Sequence, residues 1–231
     1  MDFMENLSER SLLRLLQLSS STLPVGAYAF SSGLESAVER GWVDDSKTTI
    51  DWLSLQLTES LVKTDLPILL RQLRAIEEQD VQGVAYWNDY LLACRETAEL
   101  RLSDTSTGLA LMTLLKQLSV SLTVFDGLGE KPEVSFVSVF ATACHYWGID
   151  EQSACYGFLW SWLDNQVAAA IKLVPLGQVA AQKALDHLLP SLPERVEESL
   201  NICDAEIGSS LPALAMVSSW HESQYSRLFR S

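Results

Sequence analysis

Apolar residues recur along this chain every three to four positions, and turn-forming residues cut the pattern into segments. The dominant segment is 153–182. In it Trp160, Leu163, Val167 and Ile171 keep helical spacing until Pro175. A proline drives the residue before it out of the α region, so the helix should end there. At about 20 residues it is long enough to cross a small domain, and it is apolar enough to be buried on most of its surface. Asp164, Asn165, Gln166 and Lys172 interrupt it, which argues against a membrane span. The rest of the chain is expected to pack around it.

Taken in order, residues 7–18 read as a short helix with Leu12, Leu15, Leu16 and Leu18 on one stripe. Pro24 and Gly26 mark a turn. Residues 27–40 read as helical, with Gly41 as its C-cap. Gly33 inside it costs about 1 kcal/mol against alanine and would admit a close neighbour. Helices follow over 46–62 and 66–79, with Asp65 as a cap and Pro67 in the first turn of the second. The next spans 81–100, where Arg95 and Glu99 have the spacing of an opposite-charge pair. Helices over 107–124 and 134–147 flank a loop at Gly127, Gly129 and Pro132, and Asp150 caps the long helix. Residues 176–189 end at Pro190. Ser191 and Glu194 have capping-box spacing for a helix toward Leu200, and 213–225 is the last. No stretch alternates cleanly, so the pattern predicts an all-α fold. We expect residues 1–231 to form a single domain of nine or ten helices around a central buried helix.

Composition narrows the function. The chain has 231 residues, 48% of them hydrophobic, with seven tryptophans, which is enough for a full-sized core. Its formal net charge is −14. Binding nucleic acid or an anionic membrane needs basic surface, so no nucleic acid and no membrane is expected as a partner. A partner with a basic face fits. Cys94, Cys144, Cys155 and Cys203 form no CxxC pair. Together with an N-terminus lacking a basic region before its apolar run, this points to a reducing cytoplasm.

Candidate chemistry is sparse. His145, His187 and His221 lie in separate helices and make no HxxxH or HExxH pair, so no metal ligands are assigned. His145, beside Tyr146 and Trp147, reads as a packed ring. There is no nucleophile elbow and no Walker loop. The C-terminal tail holds Tyr225, Arg227, Phe229 and Arg230, the residue types that dominate binding hot spots. It reads either as a solvated end or as a docking segment that orders on a partner. Binding outranks catalysis. The alternative is a helical enzyme whose pocket would bring His145, His221 and a carboxylate together in three dimensions.

Five strings stand in order along the chain: SSSTLPVGAYAFSSGLE, RETAELR, FATACHYWGI, WSWLDNQVAAAIKLVPLGQVAAQKAL and HESQYSRLFRS. Together they resemble the urease accessory protein UreF family over nearly the whole length. The resemblance implies packed helices, a homodimer and no activity of its own. It implies binding to the accessory protein UreD (UreH in some organisms) and recruitment of the GTPase UreG. That assembly would deliver nickel to apo-urease, with nickel and GTP handled by the partners and no intrinsic cofactor. Within the motif that contains Pro24 and Gly26, Tyr28 would lie on the GTPase-recruiting surface, and Arg227 in the tail would contribute to it. Pro175, Leu176 and Gln178 match the motif after the central helix, and Gln182 matches a later glutamine. The N-terminal segment 1–22 and the tail 222–231 would become ordered on partner binding. Some family members carry a histidine where this chain has Phe30, and Ala181 stands in place of a glycine.

Overall fold

The computed structural model of the chain describes residues 7–128 and 133–230. Residues 1–6 of the N-terminal segment, Gly129 and Pro132 of the expected loop, and Ser231 of the tail lie outside these described residues. All regular structure among the described residues is helical. The α-helices are α1 (Glu9–Leu18), α2 (Leu34–Glu39), α3 (Ser46–Gln56), α4 (Leu66–Glu77), α5 (Val81–Ala93) and α6 (Ala98–Gln117). They continue with α7 (Phe136–Tyr146), α8 (Glu151–Leu173), α9 (Gln178–Leu188), α10 (Leu192–Asn201) and α11 (Pro212–His221). Because α3 passes into α4 through a π-helical stretch (Leu57–Asp65) and α9 into α10 through a 3-10 turn (Leu189–Ser191), these eleven helices make nine uninterrupted helical runs, in line with the nine or ten expected.

Asp45 opens the α3–α4 run. Its carboxylate accepts the Thr48 N–H at 2.7 Å, and the Thr48 hydroxyl accepts the Asp45 N–H at 3.0 Å. That reciprocal box satisfies donors that a helix start otherwise leaves unpaired. The pattern predicts two helices here, with Asp65 as a cap; the chain instead continues without a break, and Asp65 turns its side chain to Arg95. Pro67 has no N–H to give to the carbonyl four residues back, that of Lys63. The Gly208 N–H donates to that carbonyl instead, at 3.0 Å. α4 is then enclosed: nine of its twelve residues are buried, with α5 and α7 as its main neighbours. α8 shares the centre. Its Leu163 and Val167 are buried, whereas Trp160 and Ile171 lie on an open strip.

Several boundaries differ from the pattern for local reasons. α5 ends at Ala93 and α6 already begins at Ala98, where one helix over 81–100 is expected. Arg95 is the cause. Its guanidinium lies 2.6 Å from Asp65 and 2.8 Å from Asp104, and both carboxylates are buried. Reaching them draws the chain inward, and Thr97 then caps α6 by accepting the Leu100 N–H at 3.1 Å. The expected Arg95–Glu99 pair therefore does not form. Burial alone would lower the basicity of Arg95, but Asp65 and Asp104 raise it above its ordinary value. Burial also pushes the Asp65 carboxyl up, against the pull of Arg95.

Other differences are smaller. α6 stops at Gln117, and the end of the expected 107–124 helix becomes a 3-10 turn, Thr123–Leu128. Ser191 builds no capping box, because its hydroxyl donates back to the Leu188 carbonyl at 2.8 Å. On α1 the buried residues are Ser11, Leu15 and Leu18, and Leu16 faces solvent. α11 ends at His221, four residues short of expectation.

α6 and α7 approach so closely that Gly108 is required between them. A Cβ at that position would stand 2.3 Å from the Val134 carbonyl oxygen and 2.8 Å from the Ser135 carbonyl carbon. Alanine in a helix is normally worth about 1 kcal/mol over glycine, whereas overpacking costs about 1–3 kcal/mol. The obstacle here is backbone, which yields poorly, so the cost should win. We expect Gly108→Ala to lower the thermal midpoint by roughly 2–8 °C, measured by calorimetry. An unchanged or raised midpoint would show that α7 can retreat freely.

Candidate functional site

Two glycines shape the loop 23–33. Gly26 (φ +75°) and Gly33 (φ +79°) adopt left-handed conformations that a side chain resists. Between them the 3-10 turn Ala27–Ala29 lifts Tyr28 into solvent, where it is 66% exposed, while Val25 and Phe30 go into the core. Helix 27–40 is therefore not formed as expected, and Gly33 begins α2 instead of interrupting a longer helix. A Cβ on Gly33 would meet the Val217 Cγ2 at 2.8 Å, so α11 lies tight on the start of α2.

That close approach buries Glu35 of α2 opposite Glu99 of α6, and His221 at the end of α11 stands between them. The His221 Nε2 is 3.1 Å from Glu35 Oε2, and its Nδ1 is 2.8 Å from Glu99 Oε2. The tail completes the cluster. The Leu228 and Phe229 N–H groups donate to the Glu35 carboxylate at 2.6 and 2.8 Å. The Arg227 Nη1 donates to Glu99 Oε1 at 3.0 Å. The Arg230 N–H donates to the Ala29 carbonyl at 2.8 Å, so the end of the chain lies against the loop that carries Tyr28. Burial pushes the Glu99 carboxyl up from its ordinary value of 4.5, and His221 and Arg227 oppose that rise.

The 23–33 loop and the tail thus form one surface. Tyr28 and Tyr225 are exposed, as is Leu228, and Arg227 keeps 40% of its side chain in solvent. Phe229 is buried on its own chain, with the Lys172 ammonium 5.5 Å from its ring centre. Arg230 is exposed, and its guanidinium lies 5.6 Å from the Phe30 ring. Pro24 is exposed at the rim of the loop. Lys172 leads into the α8–α9 connection, where Pro175, Gln178 and Gln182 are exposed and Leu176 is half-buried.

The histidines do not converge. His145 is exposed on the last turn of α7 and is not the packed ring expected, and His187 is exposed on α9. A cavity of about 180 Å3 lies beneath the 23–33 loop, and none of the three lines it. The expected pocket of His145, His221 and a carboxylate is therefore not formed. The ring nitrogens of His221 point apart, so its two carboxylates cannot meet on one ion. Among the described residues no group of three or more His, Cys, Asp or Glu side chains is arranged to hold a metal ion. No described helix is long and apolar enough to cross a membrane.

Glu35 and Glu99 escaped the sequence reading. The signal for Glu35 is its setting: in the six-residue α2 the first four residues, Leu34, Glu35, Ser36 and Ala37, are all buried. A carboxylate flanked by leucine, glycine and small residues in so short a helix has no obvious solvated face. Glu99 was assigned to Arg95 because spacing cannot reveal a partner 122 residues away.

Fold and site define an all-helical protein that gathers its 23–33 loop and its C-terminal tail into one exposed surface over a buried Glu–His–Glu cluster. The UreF family model matches residues 43–189. The urease accessory protein UreF of Marinomonas sp. (strain MWYL1) is 50% identical over 220 residues, covering 95% of this chain and 94% of that protein. Those of Chromohalobacter salexigens and Hahella chejuensis are each 45% identical over 221 residues, covering 96% of this chain and 95% and 98% of theirs. The chain belongs to the UreF family.

Two outcomes follow from the cluster. Glu35→Gln keeps the size of the side chain but replaces one acceptor oxygen with an NH2 group facing the Leu228 and Phe229 donors. A hydrogen bond to a charged group is worth about 1.5–3 kcal/mol. Amide exchange at Leu228 and Phe229 should therefore accelerate by roughly 10–100-fold, read by hydrogen-exchange NMR. Unchanged protection would show that Phe229 packing alone holds the tail.

The second concerns acid. A carboxyl whose pKa is raised in the folded state takes up its proton there first. The stability it contributes is full below its unfolded value and is lost as pH rises through the folded value. For Arg227 the effect has the opposite sense, because protonating Glu99 removes its anion. As pH falls toward the raised Glu99 value, the Arg227 side chain should become mobile in NMR relaxation before the fold is lost. Arg227 and the core loosening at one pH would refute this order.

Proposed function

We propose that this chain is a nickel-insertion accessory component of urease maturation. It binds a UreD/UreH-type accessory protein, recruits a UreG-type GTPase, and couples GTP hydrolysis by that partner to nickel delivery into apo-urease. It acts in the cytoplasm as a homodimer and performs no catalysis itself. Nickel and GTP are handled through its partners, and the chain needs no cofactor of its own.

The observation that carries this reading is the convergence of the Tyr28 loop with the tail through the Arg230–Ala29 hydrogen bond. Tyr28, Tyr225 and the half-exposed Arg227 are side chains of the kinds enriched at binding hot spots. Phe229 and Arg230 anchor the segment that presents them, and the exposed α8–α9 motif residues extend the surface. On this reading the UreD/UreH-type partner completes the ordering of segments 1–22 and 222–231. A tail already held by Glu35 loses less freedom on binding than a free one, which lowers the ordering cost of association. The net charge of −14 suits partners with basic faces.

The test is co-purification with UreD/UreH-type and UreG-type partners, with mass read by light scattering, in the presence and absence of GTP and nickel. Tyr28→Ala lies at an exposed site and should change stability by no more than about 0.5 kcal/mol. Arg227→Ala removes one hydrogen-bonded partner of the buried Glu99, which keeps His221, and should cost about 1–3 kcal/mol. Both should retain the fold and weaken GTPase recruitment at least tenfold, about 1.4 kcal/mol. Deleting the tail is a poorer test, because it also strips Glu35 and Glu99 of their partners. Normal recruitment by both variants, or a well-folded chain that binds neither partner, would overturn the proposal.

A further inference from the structure

We infer that the GTPase-type partner meets the loop–tail surface with exposed carboxylates, one received by Arg230 and another by Lys172. The inference rests on the partner reading above and adds the chemistry of the contact. It starts from the way the end of the chain holds its cations. The Arg230 backbone is fixed by its N–H bond to the Ala29 carbonyl at 2.8 Å, and its guanidinium lies over the Phe30 ring, 5.6 Å from the centre. The preceding residue, Phe229, is buried, with the Lys172 ammonium over its ring at 5.5 Å. Lys172 and Arg230 are both exposed. Among the described residues neither side chain donates to an acceptor. A ring beneath a cation holds it from one face and leaves its N–H groups free to bond on the solvent side.

Held cations with open donors specify an anion. A carboxylate matches the guanidinium fork with two parallel hydrogen bonds, and a second one satisfies the ammonium as a point charge. A free polyphosphate fits less well, because its repulsion from a chain of net charge −14 grows with its own charge. Arg227 is not a third receiver. Glu99 already accepts from it, and the charge of the exposed Glu222 acts on Glu99 at that end of the tail. The setting gives the contact its use. With 30 acidic residues against 16 basic ones, most other places on this surface would meet a carboxylate with like charge. Like charges brought together penalise a wrong docking pose, so Arg230 and Lys172 would fix where the partner sits. The acidic field of the whole chain still steers a partner that is basic overall.

The experiment measures binding of the full-length chain, with the UreD/UreH-type protein present, to the UreG-type partner by calorimetry at one fixed salt concentration. Affinity should fall from wild type to Arg230→Gln to Arg230→Glu, by roughly tenfold or more for the last. Amide exchange at Leu228 and Phe229 should stay as in the wild type, since the backbone N–H of residue 230 is retained. Lys172→Glu lies on α8 and should cause a similar loss, which keeps the test decisive if Arg230→Glu loosens the tail. Surface Asp and Glu residues of the partner are then changed to Lys one at a time. At least one change should restore roughly tenfold in affinity to the Arg230→Glu chain while weakening binding to the wild type. Undiminished binding by either charge-reversed chain with an intact tail, or the absence of any restoring partner variant, would overturn the carboxylate contact and leave the partner reading standing. So would saturable binding of GTP to the chain alone, seen as a shift of the Arg230 Nε–H signal by NMR. A wild-type chain that binds no partner would end both.

Discussion

Two carboxylates from distant parts of the chain, Glu35 and Glu99, face each other inside the protein, and the arrangement holds only because His221 separates them. Burying an ionised carboxylate without partners costs several kcal/mol. Two facing one another would cost more through repulsion. Each is instead met from several sides: Glu35 by the imidazole and two backbone N–H groups, Glu99 by the imidazole and Arg227. The tail thus supplies bonds that let α2, α6 and α11 approach one another. Gly33 makes that approach possible by offering no Cβ to Val217.

A second buried cluster fixes the other half of the fold by similar means. Arg95 bridges Asp65 and Asp104, and the second oxygen of Asp104 accepts the Phe136 N–H at 2.6 Å. One guanidinium therefore decides where α5 ends, and through Asp104 it also sets where α7 begins. Asn88 strengthens the same junction, with its Oδ1 accepting the Ser135 N–H and its Nδ2 donating to the Glu133 carbonyl. Breaking such a network on one side leaves an uncompensated charge indoors, a cost of about 3–5 kcal/mol. Both clusters hold the chain by polar contacts between segments far apart in sequence, around cores that α4 and α8 build from apolar contacts.

This division explains what could be read in advance. Local signals were legible: Asp150 caps α8 by accepting the Ser153 N–H, Gly148 takes the left-handed turn after α7, and Pro175 follows the end of α8. Periodicity identified nearly every helix. It failed where a polar side chain found a distant partner. Arg95 broke a helix that its neighbours favour, and Asp65 left its capping position. The loop 27–33 looked helical because its alanines and serines permit a helix, yet Gly26 and Gly33 commit it to a turn. Motif resemblance singled out Tyr28 and Arg227, and tail composition singled out Arg227 and Phe229, but the contact between the two segments was not visible. It runs through Glu35 and Glu99, and no spacing rule relates residues 35, 99, 221 and 227.

The charge distribution follows from the same compensation. The buried carboxylates at positions 35, 65, 99 and 104 are each matched by imidazole, guanidinium or backbone donors. The acidic excess must then reside mainly on the solvated surface. Fields of that kind act over roughly 8–10 Å at ordinary ionic strength. They speed the approach of a basic partner without specifying where it docks. Specificity needs short-range contacts on ordered backbone. The tail presents Tyr225, Arg227 and Leu228 outward while Phe229 and the Glu35 carboxylate hold it from within. On the partner reading, long-range attraction and local recognition are thus assigned to different residues. Substitutions in the buried cluster would then alter recognition through the position of the tail, with the acidic surface unchanged.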